Sequence, residues 1–169
     1  MDALEAIMTR RSIREYRDGE LTQDTIETLL RAAMMAPSAC NQQAWQFLVV
    51  RNKDILKQIP SIHPNAGMTS SASAGVLICG EPQKETCPGN WPVDCAAATE
   101  NLLLAAHALG LGAVWTAVYA DENKIKRFRD FFKLPESIVP FSWVPLGYPA
   151  VIPESPDRYN PKIVHWNEW

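Results

Sequence analysis

Residues 93–112 read VDCAAATENLLLAAHALGLG, and the architecture turns on this stretch. From 93 to 109, apolar residues fall nearly all round a helical projection, which marks a helix covered on most sides. Cys95, Ala96, Ala97, Ala98, Ala105 and Ala106 are small enough to let neighbouring backbones come close. Asp94, Glu100, Asn101 and His107 interrupt the run, so it reads as a buried helix and not a membrane span. Gly110-Leu111-Gly112 closes it and leads into a strand expected over 113–119. A chain of 169 residues can build one core but can rarely surround such a helix alone, so a dimer is expected.

Working outward, Asp2 with Glu5 resembles a capping box, and Leu4, Ile7, Met8 and Arg11 follow helical spacing. A short first helix should therefore end near Arg10. Thr22 can cap a second helix with Ile26, Leu29, Leu30, Ala33 and Met34 on its apolar face, and Pro37 stops it. Trp45–Val50 reads as a strand, 54–59 as a short helix, Ala74–Gly80 as a buried strand, Glu122–Phe132 as an amphipathic helix and 141–146 as a further strand. Residues 60–73 and 82–92 are breaker-rich connections. Strands separated by helices predict an α+β or layered α/β sandwich, one domain over 1–169. Its tail, 149–169, carries Pro149, Pro153, Pro156, Pro161, Trp166 and Trp169. Large aromatics without periodicity need a surface, so the tail is expected to wrap along the body or across a partner subunit.

With 47% hydrophobic and 21% charged residues the composition excludes a disordered chain, and a net charge of -3 argues against nucleic acid as a partner. Residues 1–14 carry charges throughout and no apolar signal core, which points to a cytoplasmic protein with no membrane anchor. Cys40, Cys79, Cys87 and Cys95 show no CxxC spacing and are expected as reduced thiols. His63, His107 and His165 lack metal-ligand spacing, so no metal site is expected; His107 reads as a satisfied core or interface group. Gly110-x-Gly112 lacks a third glycine and follows a helix, so it is no dinucleotide fingerprint.

Two polar segments stand out. Arg10-Arg11-Ser12-Ile13-Arg14 gathers three guanidiniums within five residues. On a helix, spacings of three and four would put Arg10 or Arg11 beside Arg14, and a guanidinium fork with the Ser12 hydroxyl suits phosphate oxygens. The same cations could instead offset the dipole of a solvated helix end. Pro37-Ser38-Ala39-Cys40-Asn41-Gln42-Gln43 supplies a hydroxyl and three amides just before Trp45. Paired donors and acceptors suit a heterocycle with an imide edge and ring nitrogens, though turn chemistry alone uses the same residues.

Together, these two segments resemble the nitroreductase family of FMN-dependent oxidoreductases. Residues 94–112 resemble its long central helix, and Pro145-Leu146-Gly147-Tyr148-Pro149 its last core strand and turn. The resemblance implies an α+β fold built as a three-layer α-β-α sandwich on a mixed, mostly antiparallel sheet. It also implies an intertwined homodimer with two FMN sites, each made from both chains. Carried over by residue, Arg10, Ser12 and Arg14 would serve the phosphate, ribityl chain and pyrimidine edge of FMN, with Arg11 able to replace one of them. Pro37, Ser38 and Asn41 of the second chain would line the ring, with Gln43 nearby. Val114-Trp115-Thr116 would present backbone groups toward N5 and O4, and Arg158, with Lys162 as its rival, would add a cation at the phosphate.

The implied activity is oxidation of NAD(P)H through flavin N5, with a nitroaromatic, quinone or similar small electron-poor acceptor reduced in turn. This is a ping-pong cycle that needs no protein nucleophile. The alternatives are a flavin enzyme for one dedicated substrate, by reductive dehalogenation or oxygen-dependent chemistry, and a non-catalytic flavin binder. Only residues 60–73 and 81–92 are available as a lid, with His63, Met68, Trp91 and Tyr119 as candidates for its edge. Cys40 reads as a small packing residue of the amide loop.

Overall fold

The strand β3, Ala74–Gly80, is buried at every residue because the sheet around it is covered on both faces. The computed structural model describes residues 1–169. The preceding elements are α1 (Ala3–Thr9), β1 (Tyr16–Arg17), α2 (Gln23–Met34), β2 (Trp45–Val50) and α3 (Lys53–Ile62). After β3 come α4 (Trp91–Ala108), β4 (Gly112–Ala113), β5 (Thr116–Ala117), α5 (Glu122–Phe132) and β6 (Val139–Pro149). The strand order is β1-β6-β3-β2, with β4 and β5 also pairing β6. All these pairings are antiparallel, and an isolated parallel bridge joins Ser12 to Ala113.

Alternation along β3 divides the core into two layers. Val76 and Ile78 pack with α2 and α4, whereas Leu77 and Cys79 pack with α3 and α5. On β6, Val144 and Leu146 join the first layer and Trp143 the second. Phe141 breaks that phase. The register shifts between Ile78, opposite Ser142, and Cys79, opposite Pro140, so Phe141 is the extra residue of a bulge and turns into the first layer. Helices on both faces of an antiparallel sheet make the three-layer α+β sandwich.

Local chemistry sets most helix starts. Asp2, Thr22, Asn52 and Asp121 each accept backbone N–H groups from the first turn that follows. α4 begins two residues earlier than expected. The Glu85 carboxylate accepts the N–H groups of Gly89, Asn90 and Trp91, and Pro92 sits where its missing donor is not needed. α3 runs through Pro60 to Ile62, carried by the buried Leu56 and Ile59. At its far end α4 stops before Gly110, whose φ of +73° suits glycine. The Thr99 hydroxyl meets that of Ser142 at 2.9 Å, pinning α4 to β6.

One expectation needs correcting, and one helix face stands open. The face Leu4, Ile7 and Met8 of α1 is exposed in the protomer, with only Ala6 buried. The strand expected over 113–119 is two short pieces. Gly112 and Ala113 pair Gly147 and Leu146, and Thr116 and Ala117 pair Trp143 and Ser142 in the same register. The ladder lapses in between, where residues 114 and 115 face Pro145 and Val144. Pro145 has no backbone N–H to offer a neighbouring strand.

Candidate functional site

The arginine segment leaves α1 at Arg10, whose φ of -55° and ψ of 131° end the helix. Beyond it the chain runs extended: Ile13 N–H donates to Ala113 O at 2.9 Å, and Ser12 forms its bridge there. The helical spacing considered for these arginines therefore does not apply. Side chains alternate in an extended run, so Arg10, Ser12 and Arg14 share one side and Arg11 and Ile13 the other. A side chain at Gly112 would meet Ile13 Cγ2 at 2.6 Å, and this glycine permits the close approach of segment and strand.

Arg10 Nε donates to Glu100 on α4 at 3.1 Å, half-buried. Arg14 is exposed. Arg11 Nε is buried without a hydrogen-bond partner. The C-terminal tail returns over this region, where the Ser155 hydroxyl donates to Thr9 O at 3.1 Å. A cavity of about 320 Å³ results, with Arg10 and Arg11 on one wall and Arg158 and Tyr159 on the other. Asp157 also lines it, its carboxylate accepting the Tyr159 N–H. Arg158 lines this cavity; its rival Lys162 does not. Next to it, Thr9 Oγ1 lies 2.8 Å from His107 Nε2, so His107 is satisfied as the sequence suggests.

The amide loop follows α2. Ala39–Asn41 form a single 3-10 turn, and Cys40, Asn41 and Gln43 all adopt positive φ, near 50°. Asn41 and Gln43 bond each other through their side chains at 2.9 Å, and Gln43 N–H donates to Ser38 Oγ at 3.1 Å. Pro37, Asn41 and Gln43 are exposed and Ser38 is half-buried. Asp94 fixes the loop from beneath. It is buried in the first turn of α4 and accepts Ala39 N–H at 2.9 Å and the Gln42 amide at 2.7 Å. The Gln42 carbonyl oxygen accepts the N–H groups of Thr86 and Cys87, at 3.1 and 3.0 Å.

Asp94 is the residue that sequence reasoning passed over. Its signal was a carboxylate in an otherwise apolar helical turn. The expectation of four reduced thiols, with Cys40 as packing, also fails. Cys40 and Cys87 are joined as a disulfide with Cα atoms 6.3 Å apart, while Cys79 and Cys95 are free and buried. A separation of 47 residues carries no local spacing signal.

Val114 and Trp115 occupy the lapse in the β-ladder, and Thr116 opens the strand that follows it. Val114 is buried, Trp115 half-buried, and the Thr116 hydroxyl donates to Trp143 O at 2.7 Å. Of the lid candidates, Trp91 and Tyr119 pack together at 4.8 Å beside Phe141, which also touches Trp115. His63 and Met68 lie elsewhere: His63 is buried edge-on to Phe128 and Met68 packs against the second core layer.

The arginine segment and the amide loop do not meet within one protomer. Arg10 is tied to α4 at Glu100 and the loop at Asp94. Six residues separate these anchors, about 9 Å along the helix and roughly 240° around it. The structure gathers no group of three or more His, Cys, Asp or Glu that could hold a metal ion, and no helix is long and apolar enough to cross a membrane.

Comparison with known proteins adds to this geometry. The profile of the "Nitroreductase family" matches residues 7–79 and 84–148. A "Putative NADH dehydrogenase/NAD(P)H nitroreductase" from Methanothermobacter thermautotrophicus is 47% identical over all of this chain and 88% of its own length. The crystal structure of a protein of the same name from Parabacteroides distasonis superposes with a TM-score of 0.93 at 37% identity, covering 98% of both chains. A "putative nitroreductase in complex with FMN" from Desulfovibrio desulfuricans has a TM-score of 0.83 at 28% identity, covering 98% of this chain and 96% of its own.

Proposed function

The chain belongs to the nitroreductase family, and on that premise we propose that it is an FMN-dependent NAD(P)H oxidoreductase. The observation that carries the reading is the cavity between α1 and the tail. Arg10, Arg11 and Arg158 are among its lining residues, and Arg11 Nε is buried with no partner. Buried donors of this kind cost free energy unless an acceptor completes them. A phosphate supplies several such acceptors and matches the guanidinium fork. The residues present therefore fit the phosphate end of FMN.

In this reading Arg10 and Arg158 hold the phosphate, Ser12 binds beside it, and Arg14 faces the pyrimidine edge. Arg14 also places positive charge where the reduced ring carries negative charge. The half-buried Ser38 hydroxyl and the exposed amides of Asn41 and Gln43, with Pro37, form the ring-side wall. Val114 and Trp115, off the ladder opposite Pro145, and the adjoining Thr116 offer backbone groups to the ring edge. Bound FMN supplies the hydride chemistry, accepting from NAD(P)H and donating to a small electron-poor aromatic such as a nitroaromatic or quinone. The two substrates use one face in succession, which gives a ping-pong cycle.

The reading includes a homodimer in which the amide loop of one chain faces the arginine segment of the other. Three features support it. The two segments are anchored on different sides of α4. The apolar face of α1 and every residue of the tail from Ala150 on are exposed in the protomer. An apolar groove of about 350 Å³, lined by Ala6, Ala32, Leu104, Ala105 and Ala108 among others, runs between α1, α2 and α4.

The test is spectroscopic. The purified protein is expected to be yellow, with one FMN per chain, and to bleach on anaerobic titration with NADH or NADPH. The double substitution Arg10→Ala with Ser12→Ala is expected to yield nearly colourless protein of unchanged fold. Wild-type flavin content in that variant would sink the assignment.

A further inference from the structure

The contact between the 38–43 loop and the 81–92 connection holds chemistry that the proposed reaction does not use. Cys40 and Cys87 are joined there; Cys40 is exposed and Cys87 half-buried. The other two cysteines differ in kind. Burial pushes the Cys79 thiol up to about 12 and raises that of Cys95 as well, so neither offers a thiolate near neutral pH. Besides the disulfide, the connection is held to the loop by two N–H groups donated to Gln42. The loop itself keeps Cys40, Asn41 and Gln43 in the left-handed region. Non-glycine residues persist there only when their surroundings hold them.

We propose that Cys40–Cys87 is a reversible redox modification site for dithiol reagents, and that its state decides whether the 81–92 connection is clamped onto the amide loop. A thiolate of the dithiol attacks Sγ of Cys40, the more exposed of the two residues. The bond between the two cysteines breaks, and Cys87 leaves as a thiolate that takes a proton from water. The second thiol of the reagent then attacks the mixed disulfide. Cys40 leaves as a thiol and the reagent as its own disulfide. Two electrons pass from reagent to protein, and the reverse exchange restores the clamp. In the reduced form the Gln42 contacts are what still joins residues 84–88 to the loop, and the left-handed residues of the loop are freed to relax.

The experiment compares the protein equilibrated with oxidised and with reduced dithiothreitol. Alkylation after denaturation should label two cysteines in the oxidised protein and all four in the reduced one. Trypsin should cut after the exposed Lys84 about five times faster in the reduced protein, because cleavage follows local opening. Cys87→Ser should cut at the fast rate under both conditions. A third arm rests on the FMN reading: reduction should weaken FMN binding about threefold or more, as a less organised loop binds less well. Four labelled cysteines in both states, or equal cleavage at Lys84 in both, overturns the clamp. Protein that binds no FMN in either state overturns the flavin reading, while thiol count and cleavage still decide the clamp.

Discussion

Asp94 accepts the Gln42 side-chain amide at 2.7 Å, and the other end of that amide accepts two N–H groups from the 81–92 connection. One buried carboxylate thus organises both the amide loop and the segment lying on it. Asp94→Ala leaves Ala39 N–H and the Gln42 amide without partners, which should cost about 3 kcal/mol of stability in urea unfolding. A double-mutant cycle with Gln42→Ala should give a coupling of about 1–2 kcal/mol. Independent effects would mean that the two side chains do not act as a pair.

Arg10 bonds Glu100 in a half-exposed pair, so its loss should change stability by no more than about 1 kcal/mol. Its effect on ligand should be far larger and confined to the phosphate. Arg10→Ala should weaken FMN binding roughly 10–100-fold and leave riboflavin binding nearly unchanged. Equal losses for both ligands in fluorescence titrations would place Arg10 away from the phosphate.

Acid should destabilise the fold through its histidines. His63 is almost wholly buried. Burial, and then the charge of Lys124, hold its pKa below the ordinary histidine value. His107 is shifted the same way by burial and by Arg10. The unfolded chain takes up these protons near pH 6.5 while the folded chain resists them. Stability should therefore be full above about pH 7 and fall as pH drops below about 6.5. His63→Leu should show a smaller loss of urea midpoint between neutral and mildly acidic buffer than wild type does. Equal losses would assign the acid sensitivity to other groups.

The tail presents Val151, Ile152, Tyr159, Ile163, Trp166 and Trp169 to solvent in the protomer. Apolar area of that kind is stable when a second surface covers it. Truncation after Pro149 should convert a dimer to monomer in sedimentation velocity and remove most bound FMN, because Arg158 leaves with the tail. A truncated protein that stays dimeric and yellow would show that the tail serves neither purpose.

Gly112 faces Ile13 too closely for a side chain. Gly112→Ala should cost about 1–3 kcal/mol through overpacking and loosen the arginine segment. Thermal melts together with FMN retention would detect both effects.

Periodicity and caps lie within a few residues of each other, so the sequence by itself determined most of the elements. Thr22, the apolar runs of β2 and β3, and the apolar stripe of α5 were all legible in this way. The apolar surround of α4 and the two polar segments pointed to the family.

Tertiary structure alone decided the rest, because those features arise between residues far apart in the chain. Whether Arg10–Arg14 is helical depended on Ala113 being available to bond Ile13. The break at residues 114–115 depended on Pro145 lying across the ladder. Cys40 found Cys87, and Asp94 found the amide loop, only once α4 had packed beneath both. A hydrogen bond or disulfide across 45 to 55 residues leaves no periodic trace, since its geometry exists only after the sheet and helices have closed around it.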